Sequence, residues 1–185
     1  IFSVISPIYF GETHSVIHSL EIEKNESASV VYAVGADLSN RNFDNLNLQN
    51  AVFDKADLSN TSFKNANIDG ARFVFANLSN SNLLDRTDLS NINLSGVDLS
   101  NVSLKGKDIS GTMLVGVDLS YKDLTGANLI DTILTGADLT GTILRGADLS
   151  GKDMKKTILK DADLSNANLT GMDLSVKDLT GTILT

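Results

Sequence analysis

From Leu38 to Leu184 a bulky apolar residue returns at every fifth position, and this spacing constrains the chain more than any other feature it carries. Five is neither the 3.6-residue period of a helix nor the two-residue period of a strand. A first block runs Leu38, Phe43, Leu48, Phe53, Leu58, Phe63, Ile68, Phe73, Leu78, Leu83. One extra residue enters in NLLDRTDL. A second block then runs from Leu89 to Leu184 in unbroken fives, with Ile109 and Met154 its only non-leucines, which makes 30 pentads and one slip.

The flanking positions have their own chemistry. Two before the central residue stands mostly Ala, Val or Thr, as at Ala36, Ala56, Ala137 and Ala147. One before is mostly Asp or Asn, and one after mostly Ser or Thr. Two after is mostly Asn in the first block and mainly Gly in the second, as at Asn40, Asn60, Gly136 and Gly146. Both residues tolerate positive φ, which a type II turn needs at its third position. Each pentad therefore reads as a short extended piece followed by a corner. Strand alternation turns Ala137 and Leu139 inward and Asp138 outward. Self-similarity of this kind marks a solenoid.

GADLT, GANLI and NANLT resemble the A(D/N)LXX consensus of the pentapeptide-repeat family, and the resemblance extends over residues 36–185. It implies an all-β fold, a right-handed quadrilateral β-helix with four pentads per coil. The fives then become twenties. Leu99, Leu119, Leu139, Leu159 and Leu179 stack in one column, and Phe43 lies over Phe63 and Phe53 over Phe73 on opposite walls. At a strand spacing of about 4.8 Å the rod is about 36 Å long.

Residues 1–35 do not follow the repeat. IFSVISPIYF and SVIHSLEIEK alternate apolar and polar residues, and SASVVYAV is a third strand candidate. Pro7 confines the first of these strands to an edge. The segment reads as a β-rich cap on its own first coil or as a donor to another subunit. His14 and His18 have helical metal spacing on a strand-like pattern, so no metal is expected.

A net charge of −8 and a pI near 4.6 argue against direct nucleic-acid binding. The chain has no cysteine. No apolar run reaches the ~20 residues of a membrane span. No nucleophile stands with a base, and the glycines are periodic corners rather than phosphate loops. The expectation is a non-enzymatic protein without cofactor.

Departures from the pattern are the candidate functional positions. Lys107, Lys122, Lys152 and Lys177 take the small inward position, each followed by Asp. Their stems are expected to bend out at the corner, carrying the amine to solvent or a neighbouring Asp. Met113, Ile133, Ile143, Ile158 and Ile183 replace the outward Asp, and Phe75 and Tyr121 stand at corners, as candidate contact patches. Asp37, Asp57, Asp98, Asp118, Asp138 and Asp178 form an outward acid ladder that solvates the wall, recruits cations or imitates phosphates. Of six N-x-S/T sequons, Asn25, Asn60 and Asn101 lie in expected turns and are the candidate glycosylation sites.

The repeat stops at GTILT without a polar cap, so the last coil would expose its leucines and strand edges. Phe2, Val4, Ile8 and Phe10 at one end and Leu179, Ile183 and Leu184 at the other are the candidate subunit interface. The expected function is a structural subunit of a head-to-tail extracellular fibre or surface assembly, its partners copies of itself. The alternative is a cytoplasmic acidic module that mimics DNA, of the gyrase-interacting type.

Overall fold

The computed structural model describes Ile8–Tyr9 and residues 30–185. Phe2, Val4, Phe10, His14, His18 and Asn25 lie outside the described residues. Parallel bridges join residues twenty apart, as at Asp37–Asp57–Asn77 and Asp118–Asp138–Ile158. Four pentads therefore close one coil, and the chain climbs one strand spacing per coil.

One pentad shows how the unit is built. Leu139 N–H donates to Ile158 O of the next coil (2.9 Å), and Asp138 N–H to Val117 O of the previous one (3.0 Å). Thr142 N–H then closes a turn onto Leu139 O (3.0 Å). The third residue of that turn, Gly141, has φ +61°. Phe75 and Tyr121 occupy the same corner position at φ +56° and +58°, a strained conformation for side chains of that size. Their rings lie over the corner glycines of the next coil. A Cβ at Gly141 would come within 2.6 Å of Tyr121 Cδ1, and one at Gly96 would fall inside the Phe75 ring.

We label the four walls by their central residues. Wall A carries Phe53, Phe73, Leu94, Leu114 and Leu134. Wall B carries Leu58, Leu78, Leu99, Leu119 and Leu139. Wall C carries Phe43, Phe63, Leu83, Leu104 and Leu124. Wall D carries Leu48, Ile68, Leu89, Ile109 and Leu129. All of these are buried. Phe43 stacks on Phe63 at 4.9 Å and Phe53 on Phe73 at 5.4 Å, and the two stacks meet edge-on across the interior, with Phe43 and Phe53 at 5.8 Å. Ala137 and Leu139 are buried while Asp138 faces out, as the alternation requires.

The slip in NLLDRTDL is absorbed on wall C by a short 3₁₀ helix, Asn82–Asp85, whose N-cap Ser81 accepts from Leu83 N–H. Leu83 and Leu84 are both buried there. Past it the stacking offset is restored by one extra residue, with Arg72 facing Asn93. The guanidinium of Arg86 donates to Phe63 O (3.2 Å) and Ala66 O (3.0 Å).

At the other end strand β1 (Ile8–Tyr9) lies parallel to β2 (Val31–Tyr32), pairing Ile8 with Val31 and Tyr9 with Tyr32. It continues the longest unbroken column of the rod, on wall A: Tyr32, Val52, Arg72, Asn93, Met113, Ile133.

Candidate functional surface

The outward aspartates are fixed by their own backbone. In each, Oδ1 accepts the N–H of the residue two further on: Ser39 to Asp37 at 3.0 Å, Ser100 to Asp98 at 2.8 Å, Ser120 to Asp118 and Thr140 to Asp138 at 2.9 Å. Hydrogen bonds to the charged form favour it. The hydroxyls of Ser39, Ser110, Ser120 and Thr180, followed by the same residues' N–H groups, hold Asp37, Asp108, Asp118 and Asp178 below the usual carboxylate range. For Asp98 and Asp148 the backbone N–H of Ser100 and Ser150 is the larger cause. These carboxylates stay ionised while one oxygen of each serves the fold.

The acid is unevenly distributed. Wall B presents Asp57, Asp98, Asp118 and Asp138, and the opposite wall D presents Asp69, Asp88, Asp108 and Asp148. Wall C mixes signs: Lys105 pairs with Asp123 at 2.7 Å, and Arg145 with Asp163.

Wall A differs from all three. Its outward charges near one end are Arg72 and Asp54, paired at 2.5 Å, and near the other Lys155 and Asp153, at 3.5 Å. Between them three rows carry no charge: Asn93 and Ser95, Met113 and Val115, Ile133 and Thr135. Val115 is 38% and Ile133 41% exposed, and Phe75 at the rim 63%.

The inward lysines do not behave as expected. Instead of reaching solvent or an Asp, each amine turns back onto main-chain oxygens of the previous coil. Lys107 Nζ donates to Leu84 O (3.1 Å) and Arg86 O (2.6 Å), and Lys122 Nζ to Ser100 O (3.0 Å) and Val102 O (3.1 Å). Lys152 Nζ reaches Leu129 O (2.5 Å) and Thr132 O (3.4 Å), and Lys177 Nζ reaches Met154 O and Thr157 O, the latter at 2.9 Å. For Lys152 and Lys177, which reach the central carbonyls Leu129 O and Met154 O, the cause is a lone pair. The central residue's carbonyl accepts only the turn N–H, leaving room for a second donor. Threonine at the same inward position fills that room too: Thr112, Thr132 and Thr142 donate to Leu89 O, Ile109 O and Leu119 O at 2.6–2.8 Å. Burial lowers the pKa of Lys107, Lys122 and Lys152.

The sequons separate by geometry. Asn77, Asn93 and Asn168 use Oδ1 to hold Ser79, Ser95 and Thr170 N–H. Asn60, at φ +55°, accepts from Asn80 Nδ2 at 3.1 Å, and Asn101 is exposed at its corner. Of the candidate interface residues, Ile8 lies in β1. Leu179 is half-buried, and Ile183 and Leu184 are 45% and 54% exposed on the last coil. A shallow depression of about 240 Å³ is lined by Ile130, Asp131, Asp148 and Lys152 among others, but the Lys152 amine is turned away to its carbonyls. Among the described residues there is no His, Cys, Asp and Glu group able to hold a metal, and no helix long and apolar enough to cross a membrane.

A sequence model of pentapeptide repeats matches residues 123–161 and 157–185, with 8 copies, and one of a pentapeptide repeat region matches 35–114. No curated protein matches the chain in sequence. Among solved structures, HetL is a pentapeptide repeat protein involved in heterocyst differentiation regulation in the cyanobacterium Nostoc. It is 25% identical over 83% of this chain and 78% of its own, with a TM-score of 0.57. QnrB1, a plasmid-mediated fluoroquinolone resistance protein, is 23% identical over 84% of this chain and 80% of its own, at 0.43. A pentapeptide repeat protein of the Arabidopsis thaliana thylakoid lumen is 25% identical over 61% of this chain and 71% of its own, at 0.33. None of these comparisons indicates a catalytic family.

Proposed function

The chain belongs to the pentapeptide-repeat family, and from that premise we propose that it is a non-enzymatic interaction module, a right-handed quadrilateral β-helix that binds basic surfaces of partner proteins. The supporting observation is the pair of opposite acidic walls, on which Asp98, Asp118, Asp108 and Asp148 are fixed in position and kept ionised by their own turns. A row of carboxylates at about 4.8 Å intervals attracts cationic partners by long-range steering, more strongly at low salt. Such a module competes with nucleic acid for the same basic face. The test is capture of a lysine-rich histone by the immobilised protein, with duplex DNA as competitor. Binding that weakens with salt, is displaced by DNA and falls when Asp98, Asp118 and Asp138 are together changed to Asn supports the reading. Absence of binding, or binding indifferent to the triple change, overturns it.

A second reading, end-to-end assembly, draws on the last coil. There Val176 is 88% exposed and Leu184 54%, whereas Leu164, one coil before Leu184, is 2% exposed. Another copy stacked end to end would cover that face. Light scattering across a concentration series separates the two: growth into polymers supports assembly, and constant mass removes it.

A further inference from the structure

We infer that wall A between Arg72 and Asp153 is the docking strip for a basic amphipathic helix of a partner protein, laid along the rod axis. The inference rests on the binding-module reading and names where and what the module binds. Among the described residues wall A is the only wall on which three successive rows carry no charge, and Met113, Val115 and Ile133 face out there beside the exposed ring of Phe75. The ion pairs Arg72–Asp54 and Lys155–Asp153 neutralise themselves at its two ends, leaving nothing on the strip to attract charge.

The occupant follows from two features. Along the column from Val52 to Ile133 the parallel ladder is unbroken, so the wall's main-chain groups are already paired. A strand cannot add to it. The partner must bring a backbone that satisfies itself, and an apolar stripe on a helix does so. The second feature is charge. Acidic walls B and D stand on both sides of the strip. The corner toward wall B is made by Gly96, which lies under the Phe75 ring, and by Gly116 and Gly136, which raise no side chain, and Asp131 stands at the opposite rim. Lysine and arginine on the flanks of a helix can reach around such a rim to Asp98, Asp118 and Asp138. A second copy of this chain brings its own acidic walls to the same seam and is disfavoured. Five rows, Arg72 to Asp153, span about 19 Å, which about 13 helical residues cover.

The experiment uses the full chain and a fluorescent 14-residue peptide with leucines at helical spacing and Lys and Arg on both flanks. A scrambled peptide of the same composition is the control. Ile133→Lys with Val115→Lys tests the strip; Arg72 in the same column shows that a long cation is tolerated there. Ser103→Lys, outward on wall C, controls for added charge. The amphipathic peptide is expected to bind with a Kd below about 100 µM at low salt. The scrambled peptide and the wall A variant should each bind at least about tenfold more weakly, and the wall C variant within about twofold. Equal binding of both peptides, or no effect of the wall A change, overturns the docking strip while leaving the acidic-module reading intact. Binding of neither peptide overturns both. Concentration-dependent dimerisation lost on Ile133→Lys would assign the strip to a second copy and refute the helix.

Discussion

The two blocks of the rod fill one cross-section in two ways. In the first, Phe53 and Phe73 sit beside Ala51 and Ala71, so a large central residue is matched by a small inward neighbour. In the second, leucine takes the centre and the inward neighbour grows: Ile92 beside Leu94, Val97 beside Leu99, Val117 beside Leu119, Thr112 beside Leu114. The corners follow suit. Asparagines stack and bond in the first block, Asn80 to Asn60 at 3.1 Å and Asn65 to Asn45 at 3.3 Å, where the second mainly uses glycine. On wall A a smaller centre goes with a larger inward neighbour, so the pair's volume is held while its members change; wall B accepts both Val117 beside Leu119 and Ala137 beside Leu139.

Breaking the first block's solution should cost most. Phe63 is fully buried, stacked on Phe43 and edge-on to Phe53 and Phe73. Phe63→Ala is expected to lose about 3–5 kcal/mol in denaturant unfolding, because no neighbour can collapse into the space. Importing the first block's solution into the second tests the volume rule directly. Leu119→Phe alone is expected to destabilise by about 1–3 kcal/mol, through overpacking against Val117. Val117→Ala in the same molecule should recover at least about 0.5 kcal/mol more than additivity allows. Independent effects at the two positions would show that the pair is not the unit.

The inward lysines give a smaller effect. Lys152→Met removes the donor to Leu129 O and Thr132 O and is expected to cost about 1 kcal/mol, while Lys152→Thr, which copies Thr112 and Thr142, should be near neutral. Equal loss in both would mean that the carbonyls do not need a donor. The smallest expected effect is acid sensitivity, and it should fall on the second block. Asp98, Asp108, Asp118, Asp148, Asp163, Asp173 and Asp178 there have lowered pKa values, against Asp37 in the first. A carboxyl whose folded value lies below its unfolded one stabilises the fold above the unfolded value, and that contribution disappears as pH falls through the folded one. Hydrogen exchange should therefore show protection in residues 89–185 declining before that in 36–81 between about pH 4 and about pH 2. Uniform loss along the rod would contradict this.

The coil was legible in the sequence because one signal, leucine in fives, sets both the inward face and the corner. The stacking of Phe43 on Phe63 and of Phe53 on Phe73 followed once the family resemblance supplied four pentads per coil. The corner positions of Phe75 and Tyr121 and the place of the slip followed from the fives themselves, although a 3₁₀ turn there is a local answer that spacing alone does not contain. The lysines were misread because a sequence shows a cation's cost in a core but not the free lone pair of Leu129 O, which arises only when one coil lies on another. The aspartates' second duty, holding the N–H two residues on, is a local signal carried by D-x-S and D-x-T at the repeat's outward position. Wall A was the hardest to see. Its uncharged rows, Asn93 to Thr135, lie 20 residues apart, and in single file they are separated by three other walls' acids.

The central claim is that residues twenty apart are nearest neighbours. The chain has no native cysteine, so introduced pairs report cleanly. Met113→Cys with Ile133→Cys places two thiols on adjacent rows of one column, where a strand spacing of about 4.8 Å lies within disulfide reach. Met113→Cys with Ile143→Cys places them on opposite walls. Mass spectrometry after mild oxidation should find the 113–133 bond nearly complete and the 113–143 bond absent. The reverse, or equal yields, would contradict the twenty-residue coil on which the walls and the docking strip depend.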